Sequence, residues 1–569
     1  MAVTFTEEQL KAITLHDRNI LVSAAAGSGK TAVLVERIIR MITRKEAPVD
    51  IDRLLVVTFT SAAAAEMRER ISLAIEKALL EDPENEHLQK QSTLLHNAKI
   101  TTIDSFCLFV VRNNFNDIGL DPAFRIAEEG ELKLMKQDVL TELLEEWYQE
   151  GTEEFHACVE YFTGGSSDRA LEEYIGKLHG FAISYPWPEE WLKEREEDYK
   201  ITDVSELESR EWIGYLLNYV LTCIREGADR LREAVSLAEQ PSGPWYYGEM
   251  LEREVEMLET VAGRDSYQAL GEAFSGIHFD RLPGKKDDSV DPVLRDQAKE
   301  IRNAVKKQID ELQENFFLLP AETVIRRMQE ASGPVRTLLA LTIQFLHRFE
   351  EKKRQENVID FSDMEHMALQ ILLQRKEDGS LASTPAAREY RQFFAEILID
   401  EYQDSNLVQE LLLKSISGEE EDAFNRFMVG DVKQSIYKFR LARPELFIEK
   451  YTCYSNDDSV RQRIDLHQNF RSRKEVITSI NHVFERIMGE RIGGISYDDA
   501  AALYPGAVYP EGEGYGTEIL LTEKDQKGGL SGSGSEAVMI ASRIRELHRT
   551  LQVQDRESGG LRPVKYSDM

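Results

Sequence analysis

The chain has 569 residues, of which 42% are hydrophobic and 30% charged, and it carries a formal net charge of −33. One hydrophobic core stops growing at roughly 250–300 residues, so roughly three or four structural units are expected. No run of about 18 apolar residues is present, and the opening MAVTFTEEQLKAITLHDRN has neither a basic end nor an apolar stretch, which argues against membrane spanning and secretion and makes the cytoplasm the expected address. The acidity opposes a broad nucleic-acid footprint but is compatible with one narrow groove that supplies local positive charge and stacking surfaces. Cys107, Cys158, Cys223 and Cys453 lie far apart without a CxxC pair and read as reduced, buried thiols, not zinc or iron–sulfur ligands.

In chain order, the β-branched runs NILVSA, LLVVTFT near residue 57 and ITTI near residue 102 alternate with helical patterns. This rhythm predicts a parallel sheet covered by helices. From about 121 to 375 amphipathic helical segments dominate, including ELKLMKQDVLTELLEEWYQE and PVRTLLALTIQFLHRFEEKKRQ, with loops at FTGGSSD, SYPWPEEW, QPSGPW and LPGKKDDSVDP. Its acidic residues Glu128, Glu129, Glu131, Glu142, Glu145 and Glu146 read as solvated helix faces. Short buried strands return as EILIDE, RFMVGD and RIDLHQN, so the first domain is expected to be discontinuous. Beyond about 481 come a helix, a tyrosine- and glycine-rich loop, a strand near EILLTE, the flexible loop KGGLSGSGSE and the helix EAVMIASRIRELHRTL. The expected division is 1–120 with 376–480 as one domain, 121–375 as the helical insertion and 481–569 as the start of another domain.

The segment SAAAGSGKTAVLVERI places a glycine-rich loop between a strand and a helix. Gly27 and Gly29 let backbone N–H groups approach phosphates, with Ala24 at the first loop position, Ser28 within the loop, Lys30 reaching the β- and γ-phosphates and Thr31 holding Mg²⁺. The apolar strand of ILIDEYQD delivers Asp400 as a second Mg²⁺ ligand and Glu401 as the group that orients and deprotonates an attacking water. Together these runs point to ATP with Mg²⁺.

The runs FTEEQ, AAAGSGKT, VVTFTSAAAAEMRERI, TTIDSFC, LIDEYQDSN, VGDVKQSIYKFR and LHQNFRS occur in the order of the motifs of UvrD/Rep-like superfamily 1 helicases, which the chain resembles. FRLARPELF, VIDFSDMEHMAL and the long helical insertion are similar to the A-subunit family of AddAB-type ATP-dependent helicase–nucleases. The resemblance implies a RecA-like motor domain with an inserted helical domain and an incomplete second RecA-like domain. It further implies 3′-to-5′ translocation on single-stranded DNA, unwinding from duplex ends in double-strand break repair, and a heterodimer with a B-type partner.

Residue by residue, the resemblance assigns Gln9 to the adenine edge, Phe470 to stacking on adenine, Arg471 to the γ-phosphate and Gln434 to the link between γ-phosphate and DNA. Phe59, Thr60, Ser105, Phe106, Tyr437 and Phe439 fall in motifs that face a single strand in the family. Phe439 stands where many relatives have Trp, and Asp104 where many have His. Asp198-Tyr199-Lys200 copies a nuclease triplet but follows KEREE and not an apolar strand, so no nuclease is expected in these residues. Late motor motifs are also missing, so the chain is expected to bind ATP while turning it over poorly. The rival readings are a non-hydrolysing nucleotide- and DNA-binding scaffold and a superfamily 2 RNA helicase, the latter disfavoured by DEYQD and QSIYKFR.

Overall fold

The computed structural model describes residues 4–44, 46–164, 167–285, 287–376, 378–489, 494–509, 515–521, 532–555 and 560–569. Six strands form the central sheet: β1 (Asn19–Ala24), β2 (Leu54–Thr58), β3 (Lys99–Thr102), β4 (Glu396–Ile399), β5 (Arg426–Gly430) and β6 (Arg461–Leu466). All pairings are parallel, in the order β6-β1-β5-β4-β2-β3. Strands covered on both faces must be apolar at successive positions, which is how LLVVT, EILI and RFMVG read.

Alternate side chains enter two separate cores. Leu21, Leu55, Val57, Ile397, Ile399 and Met428 pack with Phe106, Val110, Met364 and Leu412 on one face. Ile20, Val22, Leu54, Val56, Leu398, Phe427 and Val429 pack with Leu34, Ile38, Met67 and Ile71 on the other. Four helices near the site are α1 (Glu7–Thr14), α2 (Lys30–Thr43), α3 (Ser61–Glu81) and α4 (Ile103–Asn113).

Between β3 and β4 the chain builds a helical unit with its own buried clusters. One gathers Ile224, Leu231, Leu258, Phe274 and Ile309, and the other Leu143, Phe155, Ile175, Leu341 and Phe345. A short parallel pair, Arg125–Ile126 with Val358–Ile359, joins the outgoing and returning chain at its base. The helix Phe361–Leu372 follows, and its Met364, Ala368, Leu369 and Leu372 are buried in the same cluster as Phe106 and Leu412.

Some expectations change. The PVRTLLALTIQ helix does not begin at its proline: Pro334 lies inside Ala321–Gln355. Proline removes one N–H and crowds the preceding turn, but apolar positions on both sides of it, from Ile325 and Ala331 to Leu338 and Leu341, are buried along one continuous helix. Cys107, Cys158 and Cys223 are buried free thiols, whereas Cys453 is exposed at the end of the helix Pro444–Cys453. The expected strand near EILLTE is not formed at 517–521, where Ile519 and Leu521 are 81% and 89% exposed and no partner strand lies alongside among the described residues. The final helix spans Gly532–Thr550 and includes the GSGS expected to be loop, while 522–531, with the KGGLS part of that loop, lie outside the described residues.

Candidate nucleotide site and adjoining groove

At the carboxyl end of β1 the chain turns through Gly27 and Gly29, with φ of +71° and +82°, before Lys30 opens α2. These left-handed conformations suit glycine. At Gly27 there is also no room, since an added Cβ would lie 2.8 Å from the Asn469 amide. Ala24, fully buried, ends the strand in register with Leu466. The first N–H groups of α2 have no partner within the helix, and the helix dipole makes this end favourable for an anion.

Beyond β4, Asp400 and Glu401 reach the same place, although 371 positions separate Glu401 from Lys30; the Lys30 Nζ lies 3.2 Å from Glu401 Oε2. Glu401 is itself left-handed, with φ of +52°. Burial, then the charge of Glu401, pushes Asp400 up to about 6 against the opposing pull of Lys30. Burial, then Glu401, does the same to Asp404. Three carboxylates thus gather around one lysine, a charge excess that a divalent cation would relieve. Among the described residues no group of three His, Cys, Asp or Glu could hold a metal ion. Mg²⁺ in phosphate sites takes only one or two protein ligands beside phosphates and water, and Asp400 with Thr31, the second residue of α2, fits that requirement.

A second cavity of about 290 Å³ adjoins the loop, lined by Gln9, Ser28, Asp465, His467, Phe470 and Tyr504 among others. Gln9 is 5% exposed; its Oε1 accepts the Thr6 N–H in a capping box (2.9 Å) and its Nε2 donates to the Ser28 carbonyl (2.9 Å). One N–H and one acceptor lone pair of the amide are left by these bonds, the pair of functions that matches an adenine edge. The Ser28 hydroxyl is buried and has no hydrogen-bond partner among the described residues. The Phe470 N–H donates to the Gly27 carbonyl at 2.9 Å, which brings the aromatic residue to the loop, and Arg471 is exposed with its N–H on Asn469 Oδ1 (2.9 Å).

On the other side of the carboxylates a cavity of about 470 Å³ is lined by Phe59, Thr60, Asp104, Glu365, Asp400, Glu401, Asp404 and Tyr437 among others. Phe59, 40% exposed just beyond β2, stacks on Tyr437 at 4.8 Å, and Tyr437 meets Phe439, 75% exposed, at 6.0 Å. Thr60 caps α3 by accepting the Ala63 N–H at 3.1 Å, and the exposed Ser105 bonds the Thr102 hydroxyl at 2.9 Å. Gln434 donates to Asp431 Oδ2 at 2.8 Å. Phe106 is corrected: it is fully buried against Tyr390 and Phe394, because it sits on the inner face of α4, and presents no face to the groove. Asp104, pushed up to about 6 by burial and then by Glu365, lies in the cavity wall. Asp198 and Lys200 end a helix in local ion pairs with Arg195 and Glu197.

Sequence reasoning passed over Gln403 and Asn469. Asn469 donates to the Ala26 carbonyl (2.8 Å) and accepts the N–H groups of Arg471 and Ser472, tying the glycine loop to the NFRS turn. Both residues lie inside motifs already quoted, DEYQD and QNFRS. Their signal was nearness in sequence to residues with an assigned role, Glu401 for Gln403 and Phe470 for Asn469.

A glycine loop at the end of a parallel strand, its lysine paired to a carboxylate from the end of another strand of the same sheet, defines a P-loop NTPase. The model of the UvrD/REP helicase N-terminal domain matches residues 5–455, and the chain belongs to the UvrD/Rep helicase family. It is 51% identical over 513 residues to the A subunit of the ATP-dependent helicase/nuclease of Lachnoclostridium phytofermentans, covering 89% of this chain and 37% of that protein. The corresponding proteins from Bacillus pumilus and Geobacillus kaustophilus are 41% and 43% identical, across 100% and 99% of this chain and 47% of each relative. The chain therefore spans less than half the length of these relatives. No helix among the described residues is long and apolar enough to cross a membrane.

Proposed function

We propose that the chain is the ATP-driven motor portion of the A-type half of a helicase–nuclease, moving 3′ to 5′ along single-stranded DNA and working with a B-type partner on duplex ends during recombinational repair in the cytoplasm. The observation that carries this reading is the adjacency of the Lys30–Glu401 pair, at 3.2 Å, to the cavity that both Glu401 and the Phe59–Tyr437 stack line. A phosphate-binding loop beside an aromatic groove is what coupling of nucleotide to strand requires.

Gly27, Ser28, Gly29 and Lys30 would bind the phosphates of ATP, Gln9 and Phe470 the adenine, and Thr31 with Asp400 the Mg²⁺. Bound there, the cation would neutralise charge on the transferring phosphoryl group. Glu401 would take the proton of the attacking water, Arg471 would meet charge on the γ-phosphate, and Gln434 would relay its state to Tyr437 and Phe439. Residues 1–120 with 376–480 are proposed as a RecA-like domain, 121–375 as the insertion and 481–569 as the beginning of a second RecA-like domain. The separate buried clusters of the insertion support that division, and the packing of Phe361–Leu372 beneath the sheet supports moving its second boundary towards the Val358–Ile359 strand.

The test is binding of labelled oligothymidylate by fluorescence anisotropy. Phe439→Ala should weaken binding by about 1–3 kcal/mol whatever the base sequence. Unchanged DNA affinity together with a lowered melting temperature would make Phe439 a packing residue and remove the stacking groove from the reading.

A further inference from the structure

Gln403 is 1% exposed and lies two positions beyond Glu401, in a short turn at Tyr402–Asp404 that follows the left-handed Glu401. A primary amide offers two N–H donors and a carbonyl acceptor. Here Nε2 donates to Glu401 Oε2 (2.9 Å) and Asp404 Oδ2 (3.2 Å), while Oε1 accepts the Asp431 N–H (2.9 Å). The orientation of the amide follows from its partners, since an ionised carboxylate only accepts and a backbone N–H only donates. Fit is equally restrictive, because any side chain at Gly430 would run into the Gln403 amide oxygen and the Phe447 ring.

The Glu401 oxygen held by Gln403 is the same Oε2 that faces Lys30. Phosphates bound in the loop would compete for the lysine, leaving Gln403 as the donor that keeps the carboxylate in place. On its far side Gln403 fixes the backbone of Asp431, itself 1% exposed, whose carboxylate holds Gln434 (2.8 Å) and the Lys433 N–H (3.1 Å). The turn Val432–Gln434 leads within three residues to Tyr437, stacked on Phe59. Beside the Asp400–Glu401 strand end, β2 delivers Phe59.

We propose that Gln403 is a positioning residue that holds the Glu401 carboxylate and ties it to the Asp431–Gln434 turn, so that nucleotide in the loop and a strand in the aromatic groove influence each other through this one amide. The inference rests on the proposed function, deepening it by naming the coupling element.

The experiment measures the affinity of this chain for a non-hydrolysable Mg-ATP analogue with and without saturating oligothymidylate, and the reverse, in wild type, Gln403→Met and Gln403→Glu. Linkage requires the two ratios to agree; wild type should show a ratio of at least about fivefold, and both variants a ratio near one with each separate affinity within about threefold of wild type. A residue needed only for folding would lower the melting temperature and both affinities together. Coupling unchanged in a folded variant, absence of coupling in a wild type that binds both ligands, or loss of cooperative melting in both variants would each overturn the role of Gln403. A wild type that binds neither ligand would instead overturn the proposed function.

Discussion

In the parallel sheet, Lys30 meets Glu401 across 371 positions of chain, whereas in the insertion the helix Glu211–Ala238 shares its buried cluster with Gly248–Ala262 and Pro292–Phe316, its near neighbours in sequence. The two regions bury comparable kinds of side chain, but the sheet gathers polar groups from distant parts of the chain at one edge. Parallel strands all end on one edge, so residues that follow β1, β2, β4, β5 and β6 collect there however far apart they are in the chain. In the insertion charged residues lie on the outer faces of the helices, as with Glu142 and Glu145. The sheet region thereby carries the site, while both regions carry buried cores of their own.

The largest expected effect breaks the insertion alone. Phe274 is fully buried and stacked on Phe317 at 4.7 Å. Phe274→Ala should destabilise the insertion by about 3–5 kcal/mol, read by denaturant unfolding, while calorimetric Mg-ATP affinity stays unchanged. A parallel loss of nucleotide binding would show that the two regions are one cooperative unit.

Lys30→Ala is the converse. Removing a charged hydrogen-bond donor should weaken Mg-ATP binding by about 1.5–3 kcal/mol with little change in melting temperature. Equal calorimetric affinity in wild type and variant would take the loop out of nucleotide binding.

Acid sharpens the contrast, because His179 in the insertion and Asp400 at the sheet edge respond with opposite sign. In the insertion, His179 packs against the edges of Phe345 and Phe349, and burial, followed by the charge of Lys136, brings it from the ordinary 6.5 down to about 3. Because the folded pKa lies below the unfolded one, the stability contributed by His179 is present above pH 6.5 and is lost as pH falls towards 3. At pH 5 that loss is about 2 kcal/mol. Asp400, at the end of β4, runs the other way: its folded pKa of about 6 exceeds the ordinary 3.8, so its contribution is present below pH 3.8 and is lost as pH rises through 6. In metal-free protein, His179→Leu should remove about 2 kcal/mol of the acid loss in denaturant melts between pH 7 and 5, and Asp400→Asn should remove part of the opposing gain, on the order of 1 kcal/mol. Identical pH profiles in wild type and both variants would sink the assignment.

The strands were legible because burial on both faces leaves an unbroken apolar run, and NILVSA, LLVVT, EILI and RFMVG are such runs. Glycines at 27 and 29 announced a turn, since few other residues take a left-handed backbone without strain. The length of the helix through Pro334 and the missing strand at 517–521 were not legible, because each depends on what packs alongside.

From the sequence alone came the phosphate loop, the acidic strand end and the order of the motifs, all of which are local patterns of residue type. Only the tertiary structure decided that Phe106 faces the core while Phe439 faces outward, since both are aromatic residues in motifs and differ only in the helix face or turn that carries them. It alone joined Lys30 to Glu401 and Glu401 through Gln403 to Asp431, because a hydrogen bond acts over about 3 Å and chain order says nothing of which strand ends lie that close.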